Sequence, residues 1–536
     1  MSQRTQAPVR TGDLVDVEIE RLTHGGRGIA RLDNFVLFVG RSLPGDKVRA
    51  RVTRVKRSFA EANAEELLEA GAQNVDPQCD PAGACGACTW QRLPYELQLQ
   101  YKADLAKDAI VRLGGVVDPP MLPIVGMAEP TGYRNKVEYT FAADPATGVV
   151  MSGYHRFGSW EEIVEVDECL IADPRGNAAK HLVDAWARKM GFKVYDRETG
   201  KGLLRSLIIR VGHATGEIQV NVVTGPTEKG LPRAAELVDD LEAGVTGLVG
   251  VLHTQTGSRA ESSFSEDPPT VLWGRDWYEE RMGGKTLKIR SNSFLQTNTA
   301  QANVLYDLVL DVAKPRPDDI AYDLYCGLGS ITLALAPHVQ EVVGVEVVQE
   351  AIDCAVENAE LNGVDNVEWQ VGNVRPVLKA AQGVWPDPTL IVVDPPRAGL
   401  VPKVVQRICE ARPERIVYVS CNPTTFAGNL PQFREFGYQP VSIQPIDQFP
   451  FTSHVELVAR FEPIPGWEPP TEEELAAREA ERLAAKNSTK QRTNARAAGR
   501  KKKSRSNHSI IAETLREEEP RPEPPTPKED APTADA

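Results

Sequence analysis

The sequence predicts an α/β protein: a doubly wound parallel sheet over residues 300–460, preceded by a small N-terminal β-barrel and a central mixed β domain. Three observations predict it. Residues 300–460 alternate helical stretches with apolar strands such as 390–393 and 416–419, the pattern of a parallel sheet covered on both faces. Residues 11–57 instead alternate apolar and polar side chains between Gly, Pro and Asp turns, which reads as short strands closing a barrel. Between 120 and 290 strand patterns return at 136–141, 207–211 and 217–223, with a helix over 176–190.

A chain of 536 residues is too long for one core, at a prior of about 150 residues per domain. The changes of pattern set the expected boundaries at 8–66, 67–292, 293–463 and 464–536. A capping-box sequence at 471–474 predicts a short charged helix to about 486. The basic block 492–505 and the Pro/Glu/Asp-rich end beyond it hold too few apolar groups to offset ordering entropy, so 487–536 is expected to be disordered.

Hydrophobic residues at 41% and charged residues at 25% are those of an ordinary soluble protein. No apolar run approaches the roughly 18 residues that span a bilayer. The first residues lack the apolar core of a secretion signal, so a cytoplasmic protein, monomeric and with reduced thiols, is expected. Its eight cysteines are then candidates for ligands, nucleophiles or core fillers rather than disulfides. Net charge is −14, but residues 1–60 carry twelve Lys/Arg against six acids. Lys47, Arg49 and Arg51 alternate along one strand and so share a face, the expected dock for a polyanion such as RNA.

Cys79, Cys85 and Cys88 are spaced C-x5-C-x2-C among small residues, a density that core filling rarely produces. Thiolate-bound metal centres usually take four ligands, and Cys169 is the one further cysteine before the parallel sheet. Spacing leaves zinc and a [4Fe–4S] cluster both open. Cys326, Cys354 and Cys409 read as packing.

Asp323-Leu-Tyr-Cys-Gly-Leu-Gly329 ends one strand and opens a helix at Ser330, with Gly327 and Gly329 allowing close approach of a ligand. It is not a phosphate loop, because no Gly-Lys-Ser/Thr follows. The second strand ends at Glu346, placed to accept hydrogen bonds from ribose hydroxyls, and the third leads to Asn373, expected near an adenine. A ribose-binding acid without pyrophosphate recognition suits S-adenosylmethionine better than NAD. Asp394-Pro-Pro-Arg397 and Ser420-Cys421-Asn-Pro423 end further strands at the same carboxyl edge, where ligands sit in such sheets. Cys421 is therefore a candidate nucleophile beside a nucleotide-type cofactor. An adenine-N methyltransferase would carry an aromatic residue where Arg397 follows Asp-Pro-Pro.

Together these motifs resemble the RNA uracil-C5 methyltransferase family, with Gly132-Tyr-Arg-Asn-Lys136, Ser293-Phe-Leu-Gln296-Thr-Asn298 and Gln448-Phe-Pro-Phe-Thr-Ser-His-Val-Glu456 as further matches. The resemblance covers about 10–460 in the family's order. It implies a Rossmann-like S-adenosylmethionine-dependent domain, an OB-like N-terminal TRAM barrel and an RNA substrate, more specifically 23S rRNA, because barrel and cluster accompany the rRNA enzymes. It implies Cys421 as nucleophile and Glu456 as base. It further implies that Gln296, Tyr325, Ser330, Glu346, Asn373 and Asp394 line the cofactor site, and that Cys79, Cys85, Cys88 and Cys169 hold a [4Fe–4S] cluster. The chain departs from the family at Ser330, commonly Asn, and at Gly428-Asn429, commonly Arg-Asp. A tRNA enzyme, or a non-catalytic iron–sulfur RNA-binding protein, is the alternative expectation.

Overall fold

The computed structural model describes residues 7–260, 263, 265 and 267–468. The expected helix over 471–486 and the basic and acidic tail lie outside the described residues.

Seven strands build the C-terminal sheet, in the spatial order Val367–Val371, Glu341–Glu346, Ile320–Leu324, Leu390–Val393, Arg415–Ser420, Glu456–Pro463 and Tyr438–Ile446. The first five run parallel, and the last two are antiparallel to their neighbours. Leu390, Ile391, Val392 and Val393 are fully buried, as a central parallel strand covered on both faces requires. Each such side chain stabilises the fold by about 1.5–3 kcal/mol. The chain order reverses between Ile320–Leu324 and Leu390–Val393, and a crevice for ligands opens at the carboxyl ends of such a pair. The hairpin Trp277–Met282 and Lys285–Arg290 shares this core through Tyr278, Met282, Leu287 and Ile289. Asn358 on the helix Gln349–Leu361 and Asn362, which caps its C-terminal end, accept hydrogen bonds from the hairpin's Lys288 and Thr286 amides respectively.

The central sheet is mixed and seven-stranded, in the order Thr270–Gly274, Leu248–Gln255, Ile218–Thr224, Leu204–Val211, Lys136–Ala143, Val150–His155 and Ile163–Glu165. The helix Pro174–Met190 packs Val183 and Trp186 against it. Asp173 opens that helix by accepting from Arg175 N, and Gly191 closes it at φ 65°.

Two expectations for the N-terminal domain are corrected. Its six strands form one sheet in the order Leu14–Glu18, Lys47–Val55, Phe59–Glu69, Phe35–Gly40, Gly28–Leu32 and Arg21–Leu22. Among the described residues no ladder pairs the two end strands with each other, as one continuous ladder of a closed OB-like barrel would. They are consecutive stretches of one segment, with Ile19 bonded to Gly45 and Asp46 on one side and Glu20 to Ile29 on the other. Nor is the Lys47/Arg49/Arg51 face a bare cationic stripe. Lys47 pairs with Glu69 at 2.6 Å, Arg49 with Asp16 and Glu66 at 2.9 Å, and Arg51 with Glu65 at 2.5 Å. The register that aligns the basic residues on one strand aligns acids from both neighbours opposite them. These pairs are exposed and screened by solvent, so they add little to stability.

Candidate active site

The antiparallel ladder between Arg415–Ser420 and Glu456–Pro463 sets Ser420 opposite Leu457. One step further, Cys421 leaves its strand level with Glu456. On the other side Val393 is opposite both Leu324 and Tyr418, so Asp394 follows beside Tyr325. Three strand ends thus bring Cys421, Glu456 and Asp394 to one edge, within electrostatic reach of one another.

The carboxylates here are in unfavourable surroundings for charge. Burial first, then Asp394 and Asp447, push Glu456 up to about 8. Its Oε2 is buried without a hydrogen-bond partner among the described residues. Burial and Asp323 push Asp394 up to about 7, and burial does the same for Asp323, whose Oδ2 accepts from Thr332 Oγ1 at 2.6 Å. Cys421 is half-buried, and burial followed by Glu456 and Asp394 raises its thiol to about 11, against the opposing charge of Arg397. An orphaned carboxylate oxygen level with a thiol is a pairing suited to proton removal near a nucleophile.

Glu456 is held by residues far away in sequence. Its approach, 447–454, is fixed by the buried Lys102, whose Nζ reaches Asp447 Oδ1 at 2.5 Å and Phe449 O at 2.9 Å. Gln98 Oε1 accepts from Phe451 N, Tyr133 Oη donates to Pro450 O, and Asn298 Nδ2 donates to Gln448 O. Phe451 takes φ 65°, a strained value for a non-glycine residue that these bonds maintain. Lys102 and Gln98, both on the helix Tyr95–Arg112, went unrecognised in the sequence. The signal was present: a Lys and a Gln on the apolar side of an amphipathic helix.

Of the residues expected to take the cofactor, Tyr325, Ser330, Glu346, Asn373 and Asp394 follow the neighbouring strand ends, whereas Gln296 lies on the segment before the helix Thr299–Ala313. Glu346 is half-buried, and its carboxylate accepts from Val347 N, Val348 N and Gly327 N, at 2.7, 3.0 and 3.3 Å. Tyr325 has φ 67°, and a Cβ on Gly327 would meet nothing within 4 Å, so this loop is shaped around open space. Gly329 seats against Trp369, where a Cβ would lie 2.6 Å from the ring. Ser330 Oγ accepts from Tyr306 Oη at 2.9 Å. Asn373 begins the helix Val374–Ala381 with its side chain exposed and not used as a cap. Gln296 follows the exposed Phe294, with its carbonyl held by Asn135 at 2.9 Å. An oriented acid, a strained loop and a glycine facing open space fit a nucleoside-type cofactor.

Cys79, Cys85, Cys88 and Cys169 line one small apolar cavity, and none forms a disulfide. Burial raises Cys85 to about 11 and Cys88 to about 12, each further disfavoured by Cys169. Among the described residues no group of three or more His, Cys, Asp or Glu converges as a single metal ion needs. A zinc site would draw its sulfurs to roughly 3.8 Å of one another, given Zn–S bonds of about 2.3 Å.

Gly428 faces solvent on the helix Pro423–Glu435. Asn429 is buried, accepts from Leu400 N and Tyr418 Oη, and donates to Leu400 O, tying the Asp394 loop to this helix. Cys326, Cys354 and Cys409 are buried in the core.

Residues 274–375 and 387–460 match the family model of tRNA (uracil-5-)-methyltransferases, and residues 8–64 match that of the TRAM domain. An uncharacterized RNA methyltransferase of Halalkalibacterium halodurans is 36% identical over 86% of this chain and 99% of its own. Another, from Caldanaerobacter subterraneus, is 37% identical over 84% and 99%. The crystal structure of a Pyrococcus abyssi tRNA (uracil-54, C5)-methyltransferase with S-adenosyl-L-homocysteine superposes with a TM-score of 0.67, at 29% identity over 83% of this chain and 99% of that one.

Proposed function

The chain belongs to the family of S-adenosylmethionine-dependent RNA uracil-C5 methyltransferases, and from that premise we propose that it forms 5-methyluridine in 23S rRNA through Cys421 and Glu456. The observation that carries the chemistry is the register that sets Cys421 level with Glu456, whose Oε2 is buried without a hydrogen-bond partner among the described residues.

Uracil C5 is a poor nucleophile. In the proposed mechanism Cys421 Sγ bonds to C6, and the C5=C6 electron pair moves onto C5. When bound, S-adenosylmethionine supplies the methyl group that C5 accepts. Glu456 then removes the proton left on C5, the C5=C6 bond re-forms, and Cys421 leaves as thiolate. Asp394 meets the uracil edge or fixes its angle to the cofactor, on a loop stiffened by Pro395 and Pro396. Glu346, Tyr325, Gln296, Ser330 and Asn373 would hold the cofactor. Asn373's uncapped side chain and Glu346's oriented carboxylate support that assignment. The target base must leave its stack to reach a half-buried thiol, which unpaired RNA allows at least cost.

The four thiols of the small cavity would hold a [4Fe–4S] cluster. They line one apolar cavity together and none is tied up in a disulfide, which supports that reading. The TRAM domain and these thiols support rRNA as the substrate. The likeness to the Pyrococcus abyssi tRNA enzyme over 83% of the chain favours tRNA as the second reading. Incubation with tritiated cofactor and either deproteinised 23S rRNA or tRNA tests both. Label at uridine C5 of rRNA is the expected result, label in tRNA alone selects the second reading, and label in neither removes both.

A further inference from the structure

One turn of the N-terminal domain touches both segments that carry the reacting groups. Thr23 N donates to Arg27 O at 2.7 Å and Gly26 N to Thr23 O at 3.0 Å, closing a tight turn with Gly25 and Gly26 at φ 93° and 77°. From its tip His24 Nε2 lies 3.2 Å from Oδ1 of Asn422, the residue that follows Cys421. Gly26 seats on Ser453, three residues before Glu456, where an added Cβ would fall 2.8 Å from Ser453 Cβ. Only a glycine permits both the backbone angle and the approach.

An amide oxygen only accepts, so His24 donates from Nε2–H. Asn422 Oδ1 also caps the helix behind Cys421, accepting from Thr424 N at 3.1 Å and Thr424 Oγ1 at 2.7 Å. Its Nδ2 donates to Arg397 O at 3.2 Å, and Arg397 Nη2 donates to His454 Nδ1 at 3.2 Å. His24, Asn422, Arg397 and His454 thus form one chain of contacts. It joins the N-terminal domain to the nucleophile's loop, the loop after Asp394 and the approach to Glu456.

Resting on the uridine-C5 reading, we propose that His24 is a positioning residue for methyl transfer: its hydrogen bond to Asn422 holds Cys421 in register with Glu456. The N-terminal domain then completes the reaction centre instead of serving RNA contact alone. Misplacing a reacting group slows chemistry without weakening binding.

The test compares full-length wild type, His24→Ala, His24→Gln and Gly26→Ala. In steady-state methylation of RNA, His24→Ala should lower kcat by about tenfold with KM for RNA little changed. His24→Gln, which keeps a donor at similar reach, should restore most of it, and Gly26→Ala should reproduce the loss by unseating the turn. Peptide mapping after iodoacetamide treatment, without RNA or cofactor, should show Cys421 of His24→Ala alkylated severalfold faster than in wild type or His24→Gln. A raised KM with unchanged kcat, or wild-type kinetics and alkylation in His24→Ala, would overturn the proposal. A wild-type protein that methylates no uridine would instead refute the functional reading, and the alkylation comparison would still decide the role of His24.

Discussion

Lys102 and Asp447 form an ion pair with no exposed surface on either side chain, Nζ to Oδ1 2.5 Å, across 345 residues of sequence. Burial lowers the lysine's pKa, and the charge and hydrogen bond of Asp447 offset that only in part. Such a pair adds little net stability over an apolar one, but removing one partner strands the other. Lys102→Met should therefore cost about 3–5 kcal/mol in denaturant unfolding. A Lys102→Met/Asp447→Leu double variant should recover much of that stability while leaving methylation impaired, because the Phe449 carbonyl also loses its donor.

Replacing Cys421 by Ala should abolish both turnover and any covalent RNA adduct. Glu456→Gln should lower turnover by roughly 10²–10⁴-fold, the range for a general base, yet accumulate the adduct. The removed carboxylate is one of the charges that oppose the Cys421 thiolate, so addition becomes easier while release is blocked. Denaturing gels of enzyme with labelled RNA read this directly. A Glu456→Gln protein with full turnover would remove the base assignment.

Activity should still rise with pH beyond neutrality. Glu456, near 8, must lose its proton to act as base, and Cys421, near 11, must lose its own to attack. The pH profile of kcat/KM reports these groups in the free enzyme. Arg397 holds the thiol down, so Arg397→Met should push the rising limb to higher pH.

Stability should move the opposite way. Folding raises Glu456 from its ordinary 4.5 to about 8, and Asp394 and Asp323 from 3.8 to about 7. The folded state thus binds more protons than the unfolded one in that window. Its contribution is complete below the ordinary carboxylate range and is lost as pH rises through 7–8. The melting temperature should fall from pH 5 to 8.5, and Glu456→Gln should flatten the fall. An unchanged slope in that variant would show that Glu456 is ionised throughout.

Anaerobically purified protein should be brown and carry four irons per chain, measured by metal analysis. Cys169→Ser should lose the colour and lower the melting temperature, since a bound centre stabilises the folded state by mass action. Bound zinc would refute the cluster.

The strand–loop edge was legible in the sequence because apolar runs ending in Asp394, Cys421 and Glu346 obey a short, local grammar. The strand order of the N-terminal sheet was not, because a strand's own alternation carries no mark of which distant strands it pairs with. Its cationic stripe misled for a related reason: alternation reveals one strand's face and is blind to the acids its neighbours align against it. Lys102, Gln98 and His24 were missed because their partners lie more than 300 residues away. A lone polar residue on an apolar face gives no hint of what it will meet.

The contacts that fix 447–454 also set an order of assembly. Lys102, Gln98 and Tyr133 leave the ribosome hundreds of residues before the segment they hold. Until that last strand emerges, Lys102 on the core-facing side of the helix Tyr95–Arg112 has neither its carboxylate nor its carbonyl partner. A catalytic fragment cut at residue 293 would keep the nucleophile, the base and every cofactor loop. It would keep Asn298 but lack Lys102, Gln98 and Tyr133, so the oldest part of the nascent chain supplies most of what holds the approach to Glu456.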